Sequence, residues 1–157
     1  MKRTIEIERK FLVKNTSVLD GVKGEKLEQG YLSIASERTI RIRRMGENAW
    51  ITVKSKTEKC SRREFEYDVP TVDAEYMLKE MCIGTIIHKV RHLIKHAGKI
   101  WEVDVFEEPY AGLVIAEVEL ESENEEIALP SWVGEEVTHD RRYFNSNLSA
   151  RSTLEAL

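Results

Sequence analysis

The feature that most restricts how this chain can fold is an alternation in which every second residue is charged. It recurs in I-E-I-E-R-K, T-I-R-I-R-R, W-I-T-V-K-S-K, E-F-E-Y-D-V, K-I-W-E-V-D-V-F and A-E-V-E-L-E. Successive side chains of a β-strand point to opposite faces, so period two predicts strands, each with one apolar and one ionic face. Glu6, Glu8 and Lys10 share a face, as do Arg41 and Arg43, Glu64, Glu66 and Asp68, Lys89 and Arg91, Glu102 and Asp104, and Glu117, Glu119 and Glu121. The opposite faces carry Ile, Val, Leu, Phe, Tyr and Trp.

Short turn-like segments at Met45-Gly46-Glu47-Asn48 and His96-Ala97-Gly98-Lys99 predict antiparallel hairpins. Loop parity then tests whether the ionic faces coincide, because a one-residue slip moves a side chain to the other side of the sheet. A turn centred on Ala97-Gly98 sets Arg91 opposite Asp104 and Leu93 opposite Glu102. A turn at Gly46-Glu47 sets Arg43 opposite Trp50 and Arg41 opposite Thr52, with Lys54 on the same face. An even loop from Glu107 to Gly112 keeps Asp104 and Glu117 together, and Glu64 joins them if the link from Lys56 to Arg62 is odd. The fold class is therefore mainly β, with few helices. One helix is expected over residues 72 to 82 with Asp73 as N-cap, and a second near Arg142 to Leu154.

A chain of 157 residues suits one domain, taken as 1–157. Its 24 basic and 28 acidic residues leave a net charge of −4, which excludes a basic nucleic-acid footprint. No apolar run approaches the roughly 20 residues of a membrane span. The start M-K-R-T-I-E-I-E lacks the apolar core of a signal peptide, so a cytoplasmic location is expected. Cys60 and Cys82 are isolated and read as reduced thiols.

Two architectures satisfy this pattern. In one, an open sheet packs its apolar side on the helices and leaves its ionic side in water. In the other, the strands close into a barrel with an ionic, wet lumen and an apolar exterior covered by helices and loops. A lumen lined by both signs suits a ligand that is itself bridged. Carboxylates bind hard cations such as Mg2+ or Mn2+, while Arg and Lys grip phosphate oxygens, so a polyphosphate with a divalent metal satisfies both. That combination points to metal-assisted phosphoryl transfer.

The E-I-E-R-K segment resembles the ExExK signature of the CYTH domain, or triphosphate tunnel metalloenzyme, family. The resemblance continues in order through Q-G-Y-L (29–32), R-I-R (41–43), I-T-V-K (51–54), E-F-E-Y (64–67), K-V-R (89–91), W-E-V-D-V-F (101–106), A-E-V-E-L (116–120) and L-P-S-W-V-G-E-E-V-T (129–138). It implies a closed antiparallel eight-stranded β-barrel, a triphosphate tunnel, with a few helices packed outside. By the same resemblance Glu6, Glu8, Glu117 and Glu119 would hold the metal, Mg2+ or Mn2+, with Asp104, Glu64 and Glu66 as further ligands or orienting groups. Lys10, Arg41, Arg43, Lys54, Lys89 and Arg91 would grip the phosphates.

Lys10 and Tyr31 are the expected catalytic pair for the attacking water, with activation of that water by the metal as the alternative. The implied activity is divalent-metal-dependent hydrolysis of inorganic tripolyphosphate to pyrophosphate and phosphate. Alternatives within the fold are a nucleoside or thiamine triphosphatase and a class IV adenylate cyclase; the non-enzyme alternative is a polyphosphate- or nucleotide-binding module whose tunnel holds its ligand without turnover. The implied partner is a small-molecule triphosphate, with no nucleic acid and no membrane, and a homodimer is compatible with this. Where the family often has an aromatic residue after K-V-R, this chain has His92, which alternation places on the outer face. His88, His92 and His96 would share a helix face, but Ile86, Ile87, Val90 and Ile94 favour a strand, which separates them from any metal role. Trp50, Trp101 and Trp132 are expected to pack the barrel, and His139 and Arg142 to lie in packing or at the tunnel end.

Overall fold

The structure, a computed structural model, describes residues 4–151. Nine strands follow along the chain: β1 (Ile5–Val13), β2 (Gly24–Ser33), β3 (Arg38–Met45), β4 (Asn48–Ser55), β5 (Ser61–Asp68), β6 (Ile83–His96), β7 (Lys99–Phe106), β8 (Val114–Glu119) and β9 (Val133–Glu136). Their order is β5-β4-β3-β2-β6-β7-β8-β1, and a further β5–β1 ladder closes these eight into an antiparallel barrel. One edge of β1 pairs with β8. The other is divided, with Ile5–Ile7 on β5 and Phe11–Val13 on β9.

The turns set the register as loop parity requires. Met45 pairs with Asn48 across a two-residue turn whose first position, Gly46, has φ +62°. His96 pairs with Lys99 across Ala97 (φ +47°) and Gly98 (φ +78°), the left-handed pair that matches the twist of a hairpin. Arg91 consequently faces Asp104, Arg43 faces Trp50 and Arg41 faces Thr52. Lys54 pairs with Glu64, so the link between β4 and β5 has the odd length needed to keep both on one side.

Apolar packing is divided between outside and inside. On the exterior, Phe11, Trp101, Val103, Ala116, Val118, Trp132 and Val133 form a buried cluster under the 3-10 turn Thr16–Leu19 and the segment at 127–133. The Trp101 ring lies 5.5 Å from Phe11 and 5.7 Å from Trp132. A second outer cluster sets Ala74 and Leu78 against Ile42 and Ala49. The third group, Ile87, Phe106, Ile115 and Leu148, joins Tyr110 and Leu113. Ile87, Phe106 and Ile115 alternate with Lys89, Asp104 and Glu117 and so project inward, making one end of the lumen apolar. Burying each such side chain contributes on the order of 1.5–3 kcal/mol. The outer face is not covered everywhere as expected: Phe65 (40%) and Tyr67 (60%) on β5 remain exposed, because no described helix or loop packs over them.

The helices depart in detail from the expected ones. The first, α1 (Thr71–Tyr76), is N-capped by Pro70 and continues through a π turn, Met77–Met81. Asp73 is not the cap but an acidic residue of the first turn, where the helix dipole favours it. The expected Arg142–Leu154 helix is a 3-10 turn, Arg141–Tyr143, then an extended Phe144 and α2 (Asn145–Ala150). Residues 152–154 of that expectation lie outside the described residues. Leu148 of α2 is fully buried in the apolar end, and the Tyr110 hydroxyl donates to its carbonyl. At Gly84 (φ +70°) an added Cβ would stand 2.2 Å from the Ser149 carbonyl oxygen, so only glycine lets α2 come this close to β6.

Candidate active site

The inward faces of the eight strands enclose a cavity of about 270 Å3. Glu6, Glu8, Lys10, Tyr31, Arg41, Arg43, Lys54, Glu64, Glu66, Lys89, Arg91, Glu117 and Glu119 all line it. Asp104 alone among the expected residues does not; it projects inward but is covered by Lys89 and Arg91, at 1% exposure. His92 points outward as alternation requires, with Nδ1 3.3 Å from the Val22 carbonyl, and His88 lies outside near Glu28.

Around Asp104 the charges are closed on one another. Its Oδ2 meets Lys89 Nζ at 2.7 Å, and Arg91 holds both carboxylate oxygens at 2.8 and 2.9 Å in a bidentate fork. Burial would raise the Asp104 carboxyl, but Lys89 and Arg91 outweigh it and hold the group well below the usual carboxylate range. Arg91 also binds Glu102, and Lys89 donates to Asn145 Oδ1 at 3.3 Å. Burial pulls the Lys89 ammonium down to about 8, against the opposing pull of Asp104.

Elsewhere the carboxylates outnumber their partners. Lys54 donates to both oxygens of Glu6 at 3.0 and 3.2 Å and meets Glu64 at 3.0 Å, while Arg62 approaches Glu6 at 3.5 Å. These cations hold Glu6 below the carboxylate range in spite of burial. Glu64 is pushed up by burial and by its bond with Glu6. Glu8, which pairs across the ladder with Glu119, is pushed well up by burial and then by Glu117 and Glu6. Glu117 itself stays low because Lys10, 3.6 Å away, outweighs its burial.

Lys10 Nζ donates to the Tyr143 carbonyl at 3.2 Å and sits 5.5 Å from the Phe144 ring. These contacts come from the bend between the 3-10 turn and α2, so the C-terminal segment fixes the signature lysine. Tyr31 is buried on β2, directly opposite Arg41, four strands from β1 in either direction around the ring. The expected catalytic pair therefore occupies facing walls. Arg41 and Arg43 both reach Glu66 (3.6 and 3.3 Å), and Thr52 joins Arg41 to the same carboxylate. Burial, together with Arg41 and Arg91, lowers the Arg43 guanidinium to about 10. Arg43 also stacks 5.5 Å from Trp50, so Trp50 packs at the lumen wall while Trp101 and Trp132 pack outside.

Sequence reasoning left out several lining groups. Arg62 shares the face of Glu64, and Glu102 that of Asp104, so alternation carried the signal for both. Asn145, Ser146 and Phe144 also line the cavity, and nothing periodic marks them.

The donor set fits a hard divalent cation. Glu8, Glu117 and Glu119 are oxygen donors on neighbouring strands, and the repulsion that Glu117 and Glu6 exert on buried Glu8 is what a bound cation would relieve. Among the described residues no three Asp, Glu, His or Cys side chains are gathered closely enough to hold a metal ion by themselves. That arrangement suits Mg2+-like ions, which keep waters and take one or two carboxylates plus substrate oxygens.

Residues 4–152 match the family described as CYTH domain. The chain is 40% identical over 143 residues to an inorganic triphosphatase of Acetivibrio thermocellus, covering 91% of this chain and 92% of that one. It is 38% identical over 149 residues to an inorganic triphosphatase of Nitrosomonas europaea, covering 92% and 96%. A solved structure of the inorganic triphosphatase NE1496 superposes with a TM-score of 0.68 at 34% identity, over 98% of both chains.

Proposed function

The chain belongs to the CYTH domain family, and on that premise we propose that it hydrolyses inorganic tripolyphosphate to pyrophosphate and phosphate with a divalent metal, Mg2+ or Mn2+. The observation that carries this reading is the division of one small cavity into two walls of opposite sign. Surplus carboxylates stand on β1 and β8, and cations on β2's neighbours β3 and β6 and on β4. The relatives named above, both inorganic triphosphatases that match along nearly their whole length, support the same substrate.

Glu8, Glu117 and Glu119, with Glu6, would hold the metal, which when bound neutralises phosphate charge and orients the triphosphate. Arg41, Arg43, Lys54, Lys89 and Arg91 bind phosphate oxygens from the other walls, Arg with planar forks and Lys as point charges. Lys10 already donates to the Tyr143 carbonyl and is ion-paired with Glu117 at 3.6 Å, so it meets the substrate as a fixed cation beside the metal ligands. Tyr31 faces it from the far wall and orients the attacking water. Asp104 serves by holding Lys89 and Arg91 in place. Positioning and charge neutralisation supply most of the rate in phosphoryl transfer, and these residues provide both.

The test is to incubate the purified protein with Mg2+ or Mn2+ and, separately, tripolyphosphate, ATP and thiamine triphosphate, and to assay phosphate, pyrophosphate and cyclic AMP. Tripolyphosphate should be turned over fastest, with pyrophosphate and phosphate released in equal amounts and with all turnover lost in a chelator. Cyclic AMP from ATP would replace this reading with a cyclase, and no product from any substrate would sink the enzyme reading.

A further inference from the structure

Gln29 is fully buried, yet neither its Nε2 nor its Oε1 has a hydrogen-bond partner among the described residues. Two other buried atoms share this condition, the Nε of Arg41 and the Nε of Arg43. All three residues lie on adjacent strands: Gln29 pairs with Arg43 on β3, and Tyr31, two residues on, pairs with Arg41. Gly30 faces outward, since a Cβ there would strike Cys82 and Ile86 of the outer cluster. Gln29 therefore projects inward on the same side as Tyr31 and, with no exposed surface of its own, sits behind Arg41 and Arg43, which line the cavity.

Native interiors rarely leave buried polar groups unpaired, and three neighbouring orphans on one wall mark a place where a further polar group belongs. The Nη2 atoms of both arginines are engaged with Thr52 or Glu66, so it is their Nε–H groups that are left to donate. The chemistry of the missing group follows from the set. Two guanidinium N–H and the amide NH2 are donors and call for an oxygen acceptor. Gln29 Oε1 is an acceptor and calls for an O–H, which a fully ionised phosphate oxygen lacks. Water supplies both.

We propose that Gln29, with the Nε–H of one of the two arginines, Arg41 or Arg43, holds a water molecule in the wall opposite β1, and that Gln29 is a positioning residue for the water that attacks the terminal phosphoryl group. The assignment of that water as the nucleophile rests on the triphosphatase reading. Accepting one O–H at Oε1 turns a lone pair toward the phosphorus, the role a glutamine side chain plays in orienting water for phosphoryl transfer. The water oxygen bonds to the terminal phosphorus as the bridging P–O bond breaks. Its electron pair leaves with pyrophosphate, and the two water protons end one on the new phosphate and one on the pyrophosphate.

The test compares wild type with Gln29→Leu, which keeps volume and removes polarity, and Gln29→Glu, which restores an acceptor. Three measurements are made on each: thermal melting, metal-free binding of tripolyphosphate by calorimetry, and kcat and KM with Mg2+. For Gln29→Leu the melting midpoint is expected to be retained or raised and binding to stay within about threefold, with kcat falling at least about tenfold, toward the low end for lost acid–base or positioning groups. Gln29→Glu should recover part of kcat with an altered pH profile. A Gln29→Leu variant with wild-type kcat, or one that loses binding and kcat together, would overturn the proposal. A high-resolution crystal structure of the wild type should show a water bonded to Gln29 Oε1 and an arginine Nε. An empty niche there overturns the proposal whatever the turnover, whereas a wild type that binds tripolyphosphate without cleaving it overturns the triphosphatase reading and the nucleophilic role together.

Discussion

Lys89 and Lys54 project into the same barrel and both meet carboxylates, but their surroundings differ. Lys89 and Asp104 are 1% and 2% exposed, and with Arg91 and Glu102 they balance two cations against two anions. Lys54 faces Glu6 and Glu64 at 17% and 20% exposure, beside Glu8, whose proton affinity is raised by its neighbours. The first cluster is balanced in charge, and Asp104 is the framework that holds Lys89 and Arg91 in place. The second holds more negative charge than its lysine and Arg62 can neutralise, and that surplus is the property a metal-binding wall needs.

The comparison breaks most visibly at Asp104. Asp104→Asn leaves buried Lys89 without its counter-charge and Arg91 with Glu102 alone, and breaking a buried ion pair from one side costs about 3–5 kcal/mol, to be read as a lower urea midpoint. An unchanged midpoint would mean the cluster is not framework. On the open wall the effects should fall on rate instead. Lys10→Ala and Glu119→Ala are each expected to reduce tripolyphosphate turnover by about a hundredfold, with unfolding midpoints near wild type. Near-normal rates in both variants would contradict the site assignment.

One carboxylate from each cluster, Asp104 and Glu8, should also answer pH with opposite signs. Asp104 titrates in the folded state below its ordinary 3.8, so its contribution is present above that value and is lost as pH falls beneath it. Glu8 titrates above its ordinary 4.5, so the folded state holds that proton more tightly, and stability falls as pH rises through the window above 4.5. Urea unfolding of metal-free protein should therefore strengthen on mild acidification from neutrality toward 4.5, then weaken below 3.8. Glu8→Gln should remove its share of the first change and leave the second. A rise of the same size in Glu8→Gln would assign it to other groups. The smallest effect is expected at the partly exposed Arg62, where an ion pair is worth about 0–1 kcal/mol. Arg62→Ala should raise KM by no more than about fivefold, and a larger loss would place Arg62 among the principal phosphate ligands.

Much of this was legible because period two and loop parity are rigid constraints. Once the hairpins at Gly46 and Ala97-Gly98 and the odd link before Glu64 are set, the ionic faces have no choice but to coincide. Alternation could not say whether that common face was a tunnel or an open surface, since closure depends on the ladder between Ile5–Ile7 and Ser61–Arg63, about fifty residues apart and unmarked by any local pattern. The Asp73 cap was misplaced because a proline one residue before the helix set the entry instead. Tyr143 and Asn145 contact Lys10 and Lys89 only because the C-terminal segment returns beneath the barrel, a tertiary event with no periodic trace.

The pairing of β1 with strands from the far part of the chain has a consequence for how the protein is made. The strand that carries Glu6, Glu8 and Lys10 leaves the ribosome well before its partners Val114–Glu119 and Val133–Glu136. Until then the chain can form hairpins but no metal wall. Assembly of the site and closure of the ring are thus one late event, and a nascent chain stalled before β8 would carry its cations already ordered and its ligands still waiting for a neighbour.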